Sequence, residues 1–271
     1  MRLLRITVVT LFVVMLGLFS IFYVREKMNT DNTIPVISVE GDIIEVSFHA
    51  TDEELLKGIT AYDEKDKDIT DKVIVESVSK FLDDGVCKVT YAVCDSDNNV
   101  ANATRKIKYK DYQSPKFSMS VSTCYSIYEK INVSDIISAH DCIDGDITRS
   151  IIVTSEDFTS SVAGVFSIEI SVTNSKGDIS AVKIPLVVED RIVTAPKVVL
   201  MEYLIYANVG DEIDFSEYIM GVTDSKGNSI EGDVRVETDA DLTKPGTYSV
   251  HYYTTDSKGV QGHTILNVIV G

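Results

Sequence analysis

His140, Asp141, Cys142, Asp144 and Asp146 fall within seven positions of the segment HDCIDGDITRSIIVTS, residues 140–155. Carboxylates, an imidazole and a thiol at that spacing are the side chains of a metal loop or a redox site. An EF-hand is excluded: counted from Asp141, the sixth residue is Asp146 instead of glycine and the twelfth is Ile152 instead of a carboxylate. A different calcium site stays open, in which Asp141, Asp144 and Asp146 converge with a linker acid such as Asp111. The competing reading is an Asp-Gly turn entering a strand, its aspartates capping free backbone amides. The same loop recurs as YDEKDKDITDKVIVES, residues 62–77, with Lys67 in place of Gly145. It appears shortened as EGDVRVET, residues 231–238. Recurrence favours the turn.

The other chemical candidates are few. Of the four cysteines, Cys87 and Cys94 lie seven residues apart on one predicted strand, on opposite faces, and cannot bridge within a flat strand. Cys87 replaces Phe166 and Tyr248 of the other copies and is expected in a core. Cys124 and Cys142, 18 residues apart, are the candidate disulfide, formed if the first strands of that copy pass the acidic loop. No CxxC, HExxH, GxSxG or phosphate-binding glycine loop is present. Paired carboxylates fall in turns, and a glycosidase pair needs a cleft to shift one pKa. No catalytic residue and no enzymatic activity are expected. Tyr203, Tyr206, Tyr218, Tyr252 and Tyr253 concentrate near the C-terminus; Tyr252 reads as core, and Tyr253, alternating outward, is the candidate ligand surface.

Three stretches position these residues: DGVCKVTYAVCDSDNNV (84–100), AGVFSIEISVTNSKGDI (163–179) and PGTYSVHYYTTDSKGVQ (245–261). Each opens on glycine, alternates apolar residues with period two, and ends in a turn cluster, which reads as a strand with one buried face and a hairpin. The preceding strands repeat as VIVES, IIVTS and VRVET, and the closing ones as TRKIKYKD, AVKIPLVVED and GHTILNVIVG. Pro35, Pro115 and Pro196 mark the copy starts. Short segments at 52–59, 132–139 and 214–221 read as a turn of helix or a bulged corner. The expected fold class is all-β: three tandem antiparallel β-sandwiches, residues 33–112, 113–191 and 192–271, in series as a beaded rod. One N-terminal transmembrane helix precedes them, within residues 1–28.

That helix rests on an uncharged, mostly apolar run, residues 6–24, long enough for a bilayer's hydrocarbon core. Arg2 and Arg5 precede it, and the short head leaves nothing to fold in the cytoplasm. An uncleaved signal anchor is expected, N-terminus cytoplasmic and the repeats extracellular, a single pass at the cell membrane. A cleaved signal peptide is the alternative, but the small residues Gly17 and Ser20 lie inside the apolar run. The chain carries a net charge of −17. Its first 27 residues hold four bases and one acid, leaving a net of −20 beyond them. A surface of that sign disfavours nucleic acid and anionic lipid.

The order D-x-x-D-G-D-I-T, short strand, G-x-Y-x-V-x-Y-x-x-x-D-S-x-G, final strand and D-x-x-x-P resembles the bacterial immunoglobulin-like repeats. Such repeats occur in tandem on Gram-positive surface proteins and are appended to a pesticidal crystal protein. The resemblance spans residues 33 to 271. It is strongest in the second copy and weaker in the third, where the acidic loop is EGD. It implies seven-stranded sandwiches exported to the cell surface, with spacing, adhesion or polymer binding as roles and no catalysis. No cofactor is implied, calcium being the one ion left open. The expected partner is an extracellular protein or polysaccharide. The alternative is a structural component of a larger envelope assembly, or a secreted protein if the N-terminal segment is cleaved.

Overall fold

The computed structural model describes residues 2–29, 32–83, 85–130, 132, 135–156, 160–191 and 193–271. It opens with one long helix, α1 (Arg2–Asn29). Its 21-residue stretch Arg5–Arg25 is long and apolar enough to cross a membrane, and its apolar window is not buried among the described residues. Two polar side chains within it are satisfied locally: Thr10 and Ser20 donate to the carbonyls of Ile6 and Leu16, both at 2.8 Å. The rest of the chain is mostly β, in repeated sandwiches, and divides into two units, residues 1–111 and 112–271.

The first unit holds one sandwich of seven strands: β1 (Val36–Val39), β2 (Ile43–Val46), β3 (Ile59–Asp63), β4 (Lys67–Asp68), β5 (Ile74–Val78), β6 (Val86–Cys94) and β7 (Val100–Tyr109). One sheet has the order β1-β3-β4 and the other β2-β7-β6-β5. The β2–β7 pair is parallel and the other pairs are antiparallel. The core follows the period-two pattern: Cys87, Val89, Tyr91 and Val93 of β6 alternate inward against Ile59, Ala61 and Ile107. A helical corner, α2 (Asp52–Leu55), crosses between the sheets. The buried Tyr91 donates its hydroxyl to the Leu55 carbonyl at 2.9 Å, and the buried Arg105 reaches the same oxygen at 2.7 Å. Side chains thus cap carbonyls that a four-residue helix cannot satisfy itself.

The second unit repeats this topology twice. Its strands are β8 (Lys116–Met119), β9 (Cys124–Ser126), β10 (Ile137–Asp141), β11 (Gly145–Asp146), β12 (Ile152–Glu156), β13 (Gly164–Thr173) and β14 (Ile179–Glu189), then β15 (Lys197–Leu200), β16 (Leu204–Ala207), β17 (Ile219–Thr223), β18 (Ser229–Ile230), β19 (Val234–Thr238), β20 (Gly246–Thr255) and β21 (Gln261–Val270). The sheets are β8-β10-β11 with β9-β14-β13-β12, and β15-β17-β18 with β16-β21-β20-β19. Each sandwich has its own core. Tyr252 is fully buried, as its period predicts, and donates to the Phe215 carbonyl at 2.8 Å, capping the corner Phe215–Tyr218 as Tyr91 caps α2.

Within this unit the two sandwiches are not independent beads. β21 is buried on both faces over most of its length, whereas β7 and β14 alternate. Its inward row packs in the third core. Its outward row meets the second sandwich, where Ile269, Leu204 and Tyr203 join the core of Phe117 and Met119. The Phe117 amide donates to the Tyr206 phenol oxygen at 2.8 Å, and Ser122 Oγ accepts from the Ile265 amide at 2.7 Å. A strand buried on both faces reads as a nearly continuous apolar run, and TILNVIV is one.

The acidic loops have a structural task. Asp141 is buried, and its Oδ1 accepts from the Ile143 and Asp144 amides, both at 2.9 Å. Asp144 accepts from the amide and hydroxyl of Ser175, at 2.6 and 2.7 Å, and Asp146 from the Thr148 amide at 2.9 Å. The first sandwich repeats this set with Asp63, Asp66 and Asp68 against Lys65, Asp66, Ser96 and Thr70. The middle aspartate of each loop therefore latches one sheet's hairpin to the D/N-S turn of the other sheet. In the third sandwich the hairpin that corresponds by strand register is Asp224–Asn228, between β17 and β18, and not the EGD of 231–233. Asp224 there caps its own turn, on the Lys226 and Asn228 amides.

The register also aligns Lys67 with Gly145, and both have left-handed backbone, φ +68° and +71°. Only glycine adopts that region without Cβ strain. Lys67→Gly is expected to stabilise the first sandwich by about 1 kcal/mol, and Gly145→Ala to destabilise the second by about as much, in denaturant melts.

Candidate functional site

The sequence-predicted residues do not assemble into one site. Asp111 is held within the first unit, its carboxylate accepting from Ser47 Oγ at 2.6 Å and the Phe48 amide at 2.9 Å. Asp141, Asp144 and Asp146 are spent on the caps described above. Cys124 and Cys142 do not bridge, which corrects the expected pairing. Cys124 pairs with Val187 near the end of β14, whereas Cys142 sits by Gln113 in the hairpin whose Asp141 meets Asn174, just before β14 begins. Most of an eleven-residue strand separates them, about 26 Å at about 3.3 Å per residue. Tyr253 does lie on the outer face of its sheet, but both ring faces are covered: His263 stacks at 4.4 Å and the Arg235 guanidinium lies 4.9 Å away.

That stack borders a cluster the sequence reading missed. Where β21 turns its outer row toward the second sandwich, the buried His263 meets Glu189, the last residue of β14, and Cys124, the first of β9. His263 Nδ1 lies 2.6 Å from Glu189 Oε1 and 3.3 Å from Cys124 Sγ. Its Nε2 lies 2.9 Å from His251 Nδ1 on the neighbouring strand β20. Arg191 closes the cluster. It donates to the carbonyls of His263 at 3.1 Å and Cys124 at 3.3 Å, and its Nη2 lies 3.4 Å from Cys124 Sγ. Its Nε is 3.4 Å from Glu189 Oε2, a charge contact without hydrogen-bond alignment.

The strands fix this geometry. Gly262, beside His263, lets β21 pass against Pro196: a Cβ there would overlap the Pro196 carbonyl. Register shows the cluster to be peculiar to this junction. Cys124 corresponds to Glu45 and Tyr206 in the other sandwiches, and His263 to Asn102 and Ala181.

The electrostatics argue against a nucleophile. Burial pushes the Cys124 thiol up to about 12, against the opposing pull of Arg191. Burial would also raise Glu189, but the hydrogen bond from His263 and the charges of His263 and Arg191 outweigh it, and the carboxyl stays below its ordinary 4.5. Burial, then the neighbouring His263, hold His251 below its ordinary 6.5. In a thiol–imidazole–acid triad the acid and the nucleophile use opposite ring nitrogens. Here both approach Nδ1, and His251 takes the other. What the cluster can do is hold a cation: among the described residues, Cys124, Glu189 and His263 are the one group of three metal-ligating side chains whose donor atoms all lie within 4.8 Å of one another.

Two concavities adjoin it. A pocket of about 180 Å³ reaches Cys124 and His263 between Ser122, Glu129, Lys197 and Tyr203. On the other side, an open groove of about 780 Å³ runs between the sandwiches along Phe166, Lys183, Asp239, Tyr248 and His251.

The comparisons with known proteins address the repeat. Residues 52–108 match the family described as bacterial surface protein, Ig-like domain. The pesticidal crystal protein Cry22Aa of Bacillus thuringiensis is 30% identical over 136 residues, 49% of this chain and 18% of that protein. An uncharacterized 81.3 kDa protein of Acholeplasma phage L2 is 26% identical over 136 residues, with the same shares. The alignments thus span less than a fifth of either relative. Among solved structures, the CBM51-2 and INT domains of Clostridium perfringens ZmpB with GlcNAc align over 54% of this chain and 26% of that one, at 23% identity and TM-score 0.23. Drosophila N-cadherin EC1-3 aligns over 90% and 91%, at 8% identity and TM-score 0.33. The family match lies within the first sandwich, and the other two sandwiches repeat its topology.

Two outcomes follow from the cluster. His251 and Glu189 both have folded pKa values below their unfolded ones, so each contributes stability that is whole above the unfolded value and lost as pH falls. In chelator-treated protein the melting midpoint of the second unit is expected to fall from about pH 7.5 to about pH 5.5 as His251 protonates, with Glu189 adding at lower pH. His251→Gln should flatten the upper part of that profile. Gly262→Ala is expected to destabilise the second unit by about 1–3 kcal/mol in denaturant melts, because strand and proline must separate.

Proposed function

We propose that this chain is a non-catalytic, membrane-anchored bacterial surface protein whose Ig-like sandwiches act as adhesion, ligand-binding or spacer modules. The observation that carries the reading is a conjunction: a surface Ig-like match at residues 52–108 in the same chain as a 21-residue apolar helix that is exposed among the described residues. The orientation proposed is N-terminus cytoplasmic, with the acidic sandwiches outside. Arg2 and Arg5 lie at the N-terminal end of the helix, and the part proposed to be translocated carries the −20 charge. That charge disfavours nucleic acid and suits a protein or polysaccharide partner. The groove along Phe166, Tyr248 and His251 is the surface we assign to such a ligand, since it offers aromatic and charged side chains in one concavity.

The reading is tested with the full chain carrying a C-terminal tag in a Gram-positive host. The protein is expected to stay with membranes through alkaline carbonate washing, at full mass, and to lose its tag when intact cells are treated with protease. A shorter product in the medium would establish cleavage and a secreted protein. A tag protected on intact cells would overturn the orientation. Purified full-length protein on glycan and extracellular-matrix arrays should bind through the groove, with Tyr248→Ala weakening the interaction by about tenfold or more.

A further inference from the structure

We propose that Cys124, Glu189 and His263 form a divalent transition-metal site, suited to Zn²⁺, that clips the second sandwich to the third. The donor set is a thiol sulfur, a carboxylate oxygen and an imidazole nitrogen, a mixture that favours zinc over the hard cations calcium and magnesium. The three donor atoms already lie within 4.8 Å of one another. Zinc bonds of about 2.0–2.3 Å place tetrahedral ligands roughly 3.3–3.7 Å apart. The 3.3 Å separation of Cys124 Sγ and His263 Nδ1 fits that spacing, and the 2.6 Å separation of Glu189 and His263 must open by less than about 1 Å.

The support around the donors is what such a site requires. His263 offers Nδ1 to the ion while Nε2 faces His251 Nδ1, the outer hydrogen bond that fixes a ligating ring. Arg191 binds the main-chain carbonyls of both Cys124 and His263, so the two ligand strands are pinned from different sandwiches. The 180 Å³ pocket at Cys124 and His263 gives an ion access and leaves room for a water as fourth ligand. The thiolate and the Glu189 carboxylate together neutralise a dication, and the Arg191 guanidinium beside them leaves the loaded cluster with one positive charge. On binding, the Cys124 thiol proton leaves to solvent, and the His263 proton that bonds Glu189 moves from Nδ1 to Nε2, freeing Nδ1 for the ion. Neither Cys124 nor His263 belongs to the repeat, since the equivalent positions hold Glu45 and Tyr206, and Asn102 and Ala181. A conserved turn motif therefore does not explain them.

The test uses the full-length chain, reduced, stripped with chelator and held in detergent. Titration with Zn²⁺ is expected to give one ion per chain. Co²⁺ is expected to give a thiolate-to-metal charge-transfer band and intense visible bands of four-coordinate cobalt. Cys124→Ser should abolish the charge-transfer band. Cys124→Ser, Glu189→Gln and His263→Gln should each weaken Zn²⁺ by at least about tenfold, and His251→Gln by about tenfold through the ring it orients. Cys142→Ser and Cys94→Ser should leave both readouts unchanged. Zn²⁺ should raise the melting midpoint of the wild type but not of Cys124→Ser. A wild-type Co²⁺ spectrum without the thiolate band, or a band that survives Cys124→Ser, would overturn the site, and the first of these does not depend on any variant folding.

Discussion

Burial of β21 on both faces is the constraint from which the organisation of residues 112–271 follows. A strand at that position in the first sandwich faces its own core with one row and water with the other, so Thr104, Lys106 and Lys108 serve there. In β21 the outward row loses water, and each polar group in it needs a partner inside the protein. Asn267 finds Thr123 Oγ1 at 3.2 Å through its amide nitrogen, while its carbonyl oxygen has no partner among the described residues. His263, with two nitrogens to satisfy, draws in Glu189, Cys124 and His251. The cluster is thus the local answer to a buried imidazole, and its chemistry arises from a packing decision made by the whole strand.

A second constraint acts inside each sandwich. Two sheets of three and four short strands leave helical corners and hairpin ends with more backbone groups than they can pair. The buried tyrosines of β6 and β20 reach across to cap the corners, and Asp66 and Asp144 reach across to the serines of the opposite turn. Both devices join the two sheets by charge-assisted or buried hydrogen bonds. The third sandwich keeps the tyrosine and drops the aspartate latch, and it is also the sandwich whose last strand is covered by a neighbour.

Much of the architecture is legible in the amino-acid sequence because period-two alternation and turn chemistry are local. Cys87, Tyr91, Ile170 and Tyr252 are core for the reason their spacing states, and the aspartates of the acidic loops cap amides as such residues do in any turn. What local reasoning cannot see is which outward row meets another sandwich. Its one trace is the change from TRKIKYKD to TILNVIV, a loss of alternation that signals a second buried face. The acidic residues of the third copy point to EGD as its loop, whereas strand register places the hairpin at Asp224–Asn228. The Cys124–Cys142 pairing requires the first strand to bring Cys124 past the acidic loop, and sequence separation carries no information about the end of a sandwich to which each residue goes.

Each sandwich pairs its second strand with its last in parallel: β2 with β7, β9 with β14 and β16 with β21. Tension that enters a sandwich through the earlier strand and leaves through the later one therefore runs along the strand axes. The hydrogen bonds between them lie across that axis and are strained together, so they must fail together instead of opening one after another from an end. A hairpin pulled from its two free ends would unzip. The chain order of these sheets thus turns a short patch of ladder, three or four residue pairs long, into a mechanical shear lock.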